Sequence, residues 1–499
     1  MANIVDDVGV QARLHPAALA VLEFASNRRW TYAAWDEAIA RTAAVLAQGY
    51  GIEAGQRVAA LARNCAELPV LHLACARIGA MFVPLNWRLT PAELAPLLEN
   101  AEPSLLTGDP DFLAPVRAGW RVAELPALRA AIEAAAPLAT PPFDRTRPSL
   151  ILYTSGTSGR PKGVLLSEHN ISQTAVNFAT LARVTHESVV LAETPMFHVI
   201  GIIGNLRSSF LRGGAVLVSE GFDAPRTLAR LSDPSLHVTH YFCVPQMAQM
   251  LRAVPGFDPE KLRSLTAIFS GGAPHPAADI RAWLKDGIPI ADGFGMSESG
   301  TVSCMPLHIP LIDAKAGAAG IVPPAISLRF VDGNGHDVPP GMTGELLLKG
   351  ENIFTGYWRA PEETAKAFTE DGWFRTGDIA RQDEDGFLFL IDRKKDMFIS
   401  GGENVYPVEI EAALAGMPGI REAAVVGVLD ARWGEVGHLA VAVGQDGPDE
   451  AAILAYLTAR LARYKIPKHV DFVEALPRTG TGKIQKTILR QILASPAAP

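Results

Sequence analysis

The sequence predicts an α/β protein with a large, multi-subdomain N-terminal α/β domain that includes a β-rich subdomain, and a small α+β C-terminal domain. Three observations predict it. Short apolar runs alternate with segments of helical period from the N-terminus onward. Near 330–400 the pattern changes to short strands joined by DG and NG turns, the mark of antiparallel hairpins. A compact stretch, 403–499, then mixes helix and strand again. The chain has 499 residues, too many for one core.

The elements follow in order. WTYAAWDEAIARTAAVLAQ (30–48) has an N-cap candidate in Thr31 and helical period. QRVAALARN is a short strand, LPVLHLACARIGA a helix and MFVPLN an extended segment. LTPAELAPLLENA carries a full helix start, with Thr90 as N-cap, Pro91 at the first helical position and Glu93 closing a capping box. SLLTGD and SLILYT are apolar strands, and the Pro-rich APLATPPFDRTRPS (136–149) is an internal loop. RFVDGNGHDVP, GELLLKG and GWFRTGDIARQDEDGFLFLIDR form the antiparallel part. Beyond it come helix PVEIEAALAGM, strands EAAVVGVLD and HLAVAVG, helix DEAAILAYLTARLA and strand HVDFVEA.

Composition excludes several classes. The hydrophobic fraction is 48% with 20% charge, which is ordinary for a folded enzyme and argues against disorder. The net charge is −8, so no nucleic-acid partner is expected, because phosphate contacts need clustered Lys and Arg. The four cysteines make no CxxC pair, which speaks for a reducing compartment and against a zinc site. No signal peptide or membrane span is read, and a cytoplasmic location is expected.

The chemistry concentrates in a few loops. YTSGTSGRPKG (153–163) follows an apolar strand and interleaves hydroxyls with glycines, which suits backbone N–H groups to phosphate oxygens. It is no Walker A loop, since Gly163 follows Lys162, and it contains no G-x-S-x-G elbow. The competing reading is a surface turn. FSGGAP (269–274) ends a strand on glycines. DGFGMSESG (292–300) fails as a dinucleotide fingerprint because Glu298 stands at the third Gly position. RTGD (375–378) is a tight turn, and IDRKKDMFISGGENVYPVEIE (391–411) and PRTGTGKIQK (477–486) complete the set.

Together, and in this order, these stretches resemble the motifs of the adenylate-forming superfamily, which includes acyl-CoA synthetases, aryl-CoA ligases, luciferases and peptide-synthetase adenylation domains. The resemblance covers nearly the whole chain. It implies ATP, Mg2+ and coenzyme A as cofactors, and a small-molecule carboxylic acid as the partner. It also implies a division into 1–394, binding ATP and acid, and 395–499, a mobile lid hinged near Lys395. By resemblance, Thr154, Ser155, Gly156, Thr157, Ser158, Gly159 and Lys162 guide the phosphates. Gly272, Ala273 and Pro274 form the adenine shelf, and Asp292, Gly293, Phe294, Gly295, Met296 and Ser297 line the nucleotide. Ser297 stands where the family more often has Thr. Glu298 and Thr154 are the Mg2+ candidates, Asp378 and Arg393 hold the ribose, and Lys483 bridges carboxylate and α-phosphate. Ser400, Gly401 and Gly402 would line the thiol tunnel. Lys486 has no assigned role, and a homodimer is compatible with the sequence.

Such residues suit the chemistry. A carboxylate is already ionised at neutral pH, so the site needs positioning and charge stabilisation rather than a general base. Catalytic weight falls on Lys483, Glu298, His198 and Thr154. PMFHVIGIIGN (195–205) resembles one wall of the acid pocket, with His198, Val199, Ile203, Tyr241, Gly271 and Gly295 as candidates. It contains no Asp to hold an α-ammonium, THYFCVPQMAQML (239–251) has no Arg before Arg252 to hold a second carboxylate, and Arg207 is expected to lie beyond the pocket. An apolar monocarboxylate, fatty or aryl/cinnamic, is therefore expected. The alternatives are loading of a carrier protein, a luciferase-type oxygenase and a binding module without catalysis.

Overall fold

The computed structural model describes residues 6–139, 144–154, 161–273, 275–394, 396–400, 403–430, 432–445, 447–478 and 484–494. The chain packs as two compact units. The first holds residues up to His275, Ile280–Ser327 and Lys349–Phe374, and the second holds Pro276–Asp279, Leu328–Leu348 and Arg375 onward. The antiparallel segment expected as a subdomain of the N-terminal domain thus packs largely with the C-terminal residues. Packing defines these units, whereas the expected division at Lys395 is one of movement.

The first unit is built on two large sheets. One has seven strands in the order Gly356–Tyr357, Lys162–Ser167, Pro148–Thr154, Met81–Pro84, Arg57–Leu61, Leu105–Gly108 and Val122–Glu124. Its last five strands run parallel, and Lys162–Ser167 turns back antiparallel on Pro148–Thr154. The other has eight strands in the order Gly300–Cys304, Ile290–Met296, Ala267–Gly271, His240–Cys243, Val189–Ala192, Ala215–Val218, Leu19–Glu23 and Arg28–Thr31. Six are parallel, with an antiparallel strand at each edge. Parallel strands need both faces covered, which accounts for their continuous apolar runs. Ala-Ile-Phe-Ser-Gly (267–271) is buried throughout.

Helix starts follow the local chemistry. The side chain of Thr31 accepts the Ala34 N–H at 3.3 Å and opens the helix Tyr32–Ala44, which passes into a π-turn at Val45–Gly49. Thr90 and Glu93 form the expected capping box ahead of Pro91–Ala101, with Thr90 N–H donating to Glu93 Oε2 at 2.8 Å. Ser167 and Asn170 build a second one before Glu168–Leu181. That box was not foreseen, because Asn replaces the usual Glu or Gln.

The second unit has a four-stranded sheet, in the order Ile326–Val331, Gly344–Gly350, Phe374–Gln382 and Leu388–Arg393. Its other sheet has five strands, with Ile420–Asp430 and Gly434–Val443 as a long hairpin and His469–Phe472 parallel to the latter. Phe398, Val405, Ile410, Leu414, Val425, Leu439, Val441, Ile453 and Leu457 form its core.

His240 is buried in the first unit, where one ring nitrogen meets the Ala182 carbonyl at 2.9 Å. Burial lowers its pKa, and the carbonyl only partly offsets this. The unfolded chain therefore binds the proton more readily. The contribution of His240 is fully present above about pH 6.5 and is lost as the pH falls from there through the lowered folded-state value. Denaturant midpoints at pH 7.5 and 5.5 should differ, and His240→Gln should flatten the slope.

Candidate active site

Open parallel sheets present ligand sites at the carboxyl ends of their strands. Several expected residues lie at such ends. Pro148–Thr154 ends on Thr154, Ala267–Gly271 on Gly271, and Ile290–Met296 delivers Asp292 to Met296. Thr154 pairs with Lys162 across the hairpin. Ser155, Gly156, Thr157, Ser158 and Gly159 themselves lie outside the described residues, as does Pro274.

Gly272 has φ of +82° and its missing side chain faces open space. A Cβ on Gly295 would sit 2.3 Å from the Gly300 carbonyl oxygen. Glycine there is required by the neighbouring strand. Gly293 pairs with Gly271, Gly272 and Ala273 are exposed, and Phe294 is buried. Gly295 is exposed, and Met296 and Ser297 are half-buried.

Asp292 Oδ1 meets His275 Nδ1 at 2.7 Å. Burial raises the Asp292 pKa, and the His275 contact counters part of that. Sequence reasoning missed His275, whose Nε2 is buried with no hydrogen-bond partner among the described residues.

Glu298 is buried, and the Tyr357 hydroxyl donates to its Oε1 at 3.0 Å. Burial, with Glu298 beside it, raises the Tyr357 pKa, so that hydroxyl stays a donor. The Lys162 ammonium lies 5.1 Å from the Tyr357 ring centre and pairs with Glu363 on the helix Pro361–Ala367. Hydrogen bonding from Lys162 lowers the Glu363 pKa. One tyrosine thus touches both the metal candidate and the phosphate lysine. Neither Tyr357 nor Glu363 carries a sequence signal of its own.

His198 is half-buried in a turn where its N–H donates to the Pro195 carbonyl at 3.1 Å. Val199 and Ile200 are half-buried beside it, and Ile202 and Ile203 are buried in the π-turn Ile200–Gly204. Tyr241 does not join this wall. It is fully buried, and its hydroxyl donates to Glu193 Oε2 at 3.2 Å. Neighbouring residues on a strand face opposite ways. The half-buried Phe242 takes the place beside Gly271, with its Cζ 3.6 Å from where a Cβ there would stand.

Arg207 is also elsewhere. Its guanidinium is buried and donates to Glu168 at 2.8 Å and to Asp7 at 3.2 Å. Burial works against its charge, but Glu168 and Asp7 outweigh this and raise its pKa. Arg252 pairs with Asp286 at 2.5 Å.

In the second unit, Asp378 is buried, opposite Arg393 in a hairpin, with Arg393 Nε at 2.5 Å. Lys394 pairs with Glu345. Ser400 is buried at the end of Phe398–Ser400. Lys486 pairs with Glu411 at 2.8 Å, a structural tie. Lys395, Gly401, Gly402 and Lys483 lie outside the described residues.

Glycine-lined strand ends, a buried glutamate and a paired lysine on an α/β frame are the equipment of a nucleotide-using enzyme. Residues 9–358 match the AMP-binding enzyme family and residues 409–483 match the AMP-binding enzyme C-terminal domain. The chain belongs to this adenylate-forming family, and it is an acid–thiol ligase of the AMP-forming acyl-CoA synthetase class. It is 38% identical to an indoleacetate–CoA ligase of Aromatoleum aromaticum, over 94% of each chain. It is 38% identical to a feruloyl-CoA synthase of an Amycolatopsis species, over 96% of this chain and 97% of that one. The ATP-bound crystal structure of MatB from Rhodopseudomonas palustris is similar with a TM-score of 0.90 at 33% identity, over 97% and 98% of the two chains. No helix among the described residues is long and apolar enough to cross a membrane.

Arg207→Ala would take from the buried Glu168 and Asp7 the guanidinium that both share. It should cost about 3–5 kcal/mol of stability, read by denaturant unfolding, without widening the substrate range to dicarboxylates.

Proposed function

We propose that the chain couples an apolar monocarboxylic acid to coenzyme A through an acyl-adenylate. The preferred acid is aromatic, an aryl, arylalkanoic or cinnamic acid, with a medium or longer fatty acid as the second choice. The observation that carries this reading is the apolar stretch that follows His198, made of Val199, Ile200, Ile202 and Ile203. Arg207 and Arg252 are held by carboxylates of the chain itself, so neither is spare for a second substrate charge. The aromatic acids in the names of the two relatives support a ring in this pocket.

In the first step a carboxylate oxygen attacks the α-phosphorus of ATP, and the bond to pyrophosphate breaks. Lys483 neutralises the two anions that meet there. Thr154 and the loop 155–159 orient the phosphates, and Lys162 accompanies the leaving pyrophosphate. Asp378 accepts from the ribose hydroxyls, with Arg393 keeping it in place. A Mg2+ ion fits the donors present, since it needs one or two carboxylates and takes its other ligands from phosphate and water. Glu298 and Thr154 would hold it, and it would supply charge neutralisation on the phosphates. The Tyr357 hydroxyl occupies Oε1 of Glu298 and so fixes how the carboxylate is turned.

In the second step the sulfur of coenzyme A, having lost its proton, attacks the acyl carbon, and AMP leaves. A swing of residues 395–499 about Lys395 exchanges Lys483 for the Ser400–Gly402 loop and keeps water from the anhydride. A homodimer and a cytoplasmic setting belong to the same proposal.

A panel of carboxylic acids, read by CoA-dependent AMP release, tests the assignment. Arylacetic and cinnamic acids should give the highest kcat/KM, and a profile led by malonate or amino acids would overturn it. Lys483→Ala should lose adenylation by about a hundredfold or more, yet turn preformed acyl-adenylate into thioester at nearly the original rate.

A further inference from the structure

The turn that carries His198 is held in place from outside. It follows the strand Val189–Ala192 of the eight-stranded sheet. Asn64, by contrast, follows the strand Arg57–Leu61 of the seven-stranded sheet. Asn64 is only 7% exposed. Its Oδ1 accepts the Met196 N–H at 2.9 Å. Its Nδ2 donates to the Thr194 carbonyl at 2.9 Å and reaches the Glu193 carbonyl at 3.4 Å. One carboxamide thus satisfies a donor and an acceptor of the same buried turn from two separate atoms, whereas an ionised carboxylate could only accept.

Both sides of this fork are rigid. On the Asn64 side, the Arg63 N–H donates to Asp109 at 3.1 Å and the Ala66 N–H to Glu23 at 2.8 Å. On the far side, Asn205 Nδ2 donates to Thr194 Oγ1 at 2.8 Å. A Cβ on Gly201 would lie 2.1 Å from the Pro195 carbonyl oxygen, so the π-turn sits directly against the backbone that Asn64 grips. Glu193 is fixed by Thr227 at 2.6 Å and by Tyr241. The sequence from 193 to 196 therefore has no slack, and His198 leaves it two residues after the Asn64 contact.

We propose that Asn64 is a positioning residue for the acid half of the reaction. It acts through the 193–196 backbone to set where the His198 ring meets the carboxylate and the incoming thiol. It makes the geometry of the acid pocket depend on the spacing of the two sheets. This rests on the reading of His198 as part of that pocket.

The test is a double-mutant cycle with Asn64→Ala and His198→Ala on the full chain. ATP and acid parameters are measured separately, along with the thioester step from preformed acyl-adenylate. Asn64→Ala should lower kcat/KM for the acid roughly tenfold to a hundredfold and leave the KM for ATP within twofold. In the His198→Ala background the same change should cost less than twofold. Equal costs in both backgrounds, or a KM for ATP that rises with that for the acid, would sink the proposal while leaving His198 in place. A silent His198→Ala would instead remove the reading of the pocket, and the proposal with it. If Asn64→Ala is not obtained folded, Asn64→Asp keeps the size and the acceptor but turns an oxygen toward the Thr194 carbonyl. It should show the same acid-selective loss, and wild-type parameters for it would count against the fork.

Discussion

A guanidinium with almost no exposure must bring its counter-charges with it. Arg207 does so in the first unit, with Asp7 arriving from the first helix and Glu168 from the start of another. His72 and Ser149 complete the surroundings of Glu168. Such a cluster contributes little net stability but tolerates little displacement, because a buried charge that loses its partner costs several kcal/mol. The helix Asn205–Arg212 is therefore fixed in depth and rotation. The π-turn Ile200–Gly204 runs straight into that helix, and the His198 turn precedes it. Arg207 thereby fixes the segment that, on the proposed reading, forms a wall of the acid pocket.

The nucleotide side follows a different logic. On the proposed reading its groups come from strand ends, where glycines leave room for a ligand. What keeps these ends in order is a chain of side chains from elsewhere. Tyr357 reaches Glu298 and Lys162, Glu363 holds Lys162, and His275 holds Asp292. Each is a long-range contact on a short segment, so the loops can be precise without being regular.

Much of this was legible in the sequence because it is local. The capping box at Thr90 to Glu93 needs only four residues, and strand-then-glycine patterns at 150–163 and 267–273 need about ten. The remainder was not legible because its partners are far apart. Tyr357 finds Glu298 across 59 residues, Glu363 finds Lys162 across 201, and Met196 finds Asn64 across 132. Periodicity carries no trace of such pairs. Tyr241 shows a subtler limit. Strand HYFC offers two adjacent aromatics, and only the buried Glu193 decides which of them faces inward with its hydroxyl. The packing of Leu328–Leu348 with the C-terminal residues was hidden for the same reason, since the hairpins read alike wherever they dock.

The Lys162–Glu363 pair has a consequence for how triphosphate is held on the proposed reading. A lysine that waits in solvent captures a phosphate and keeps the whole attraction. A lysine with a resident carboxylate only exchanges one anion for another, so what the phosphate gains is a difference between two similar terms. The exchange also runs backward with little resistance, because the carboxylate on its short helix is at hand when pyrophosphate departs. Grip is thereby given up for turnover, and the protein carries its own leaving-group substitute in Glu363.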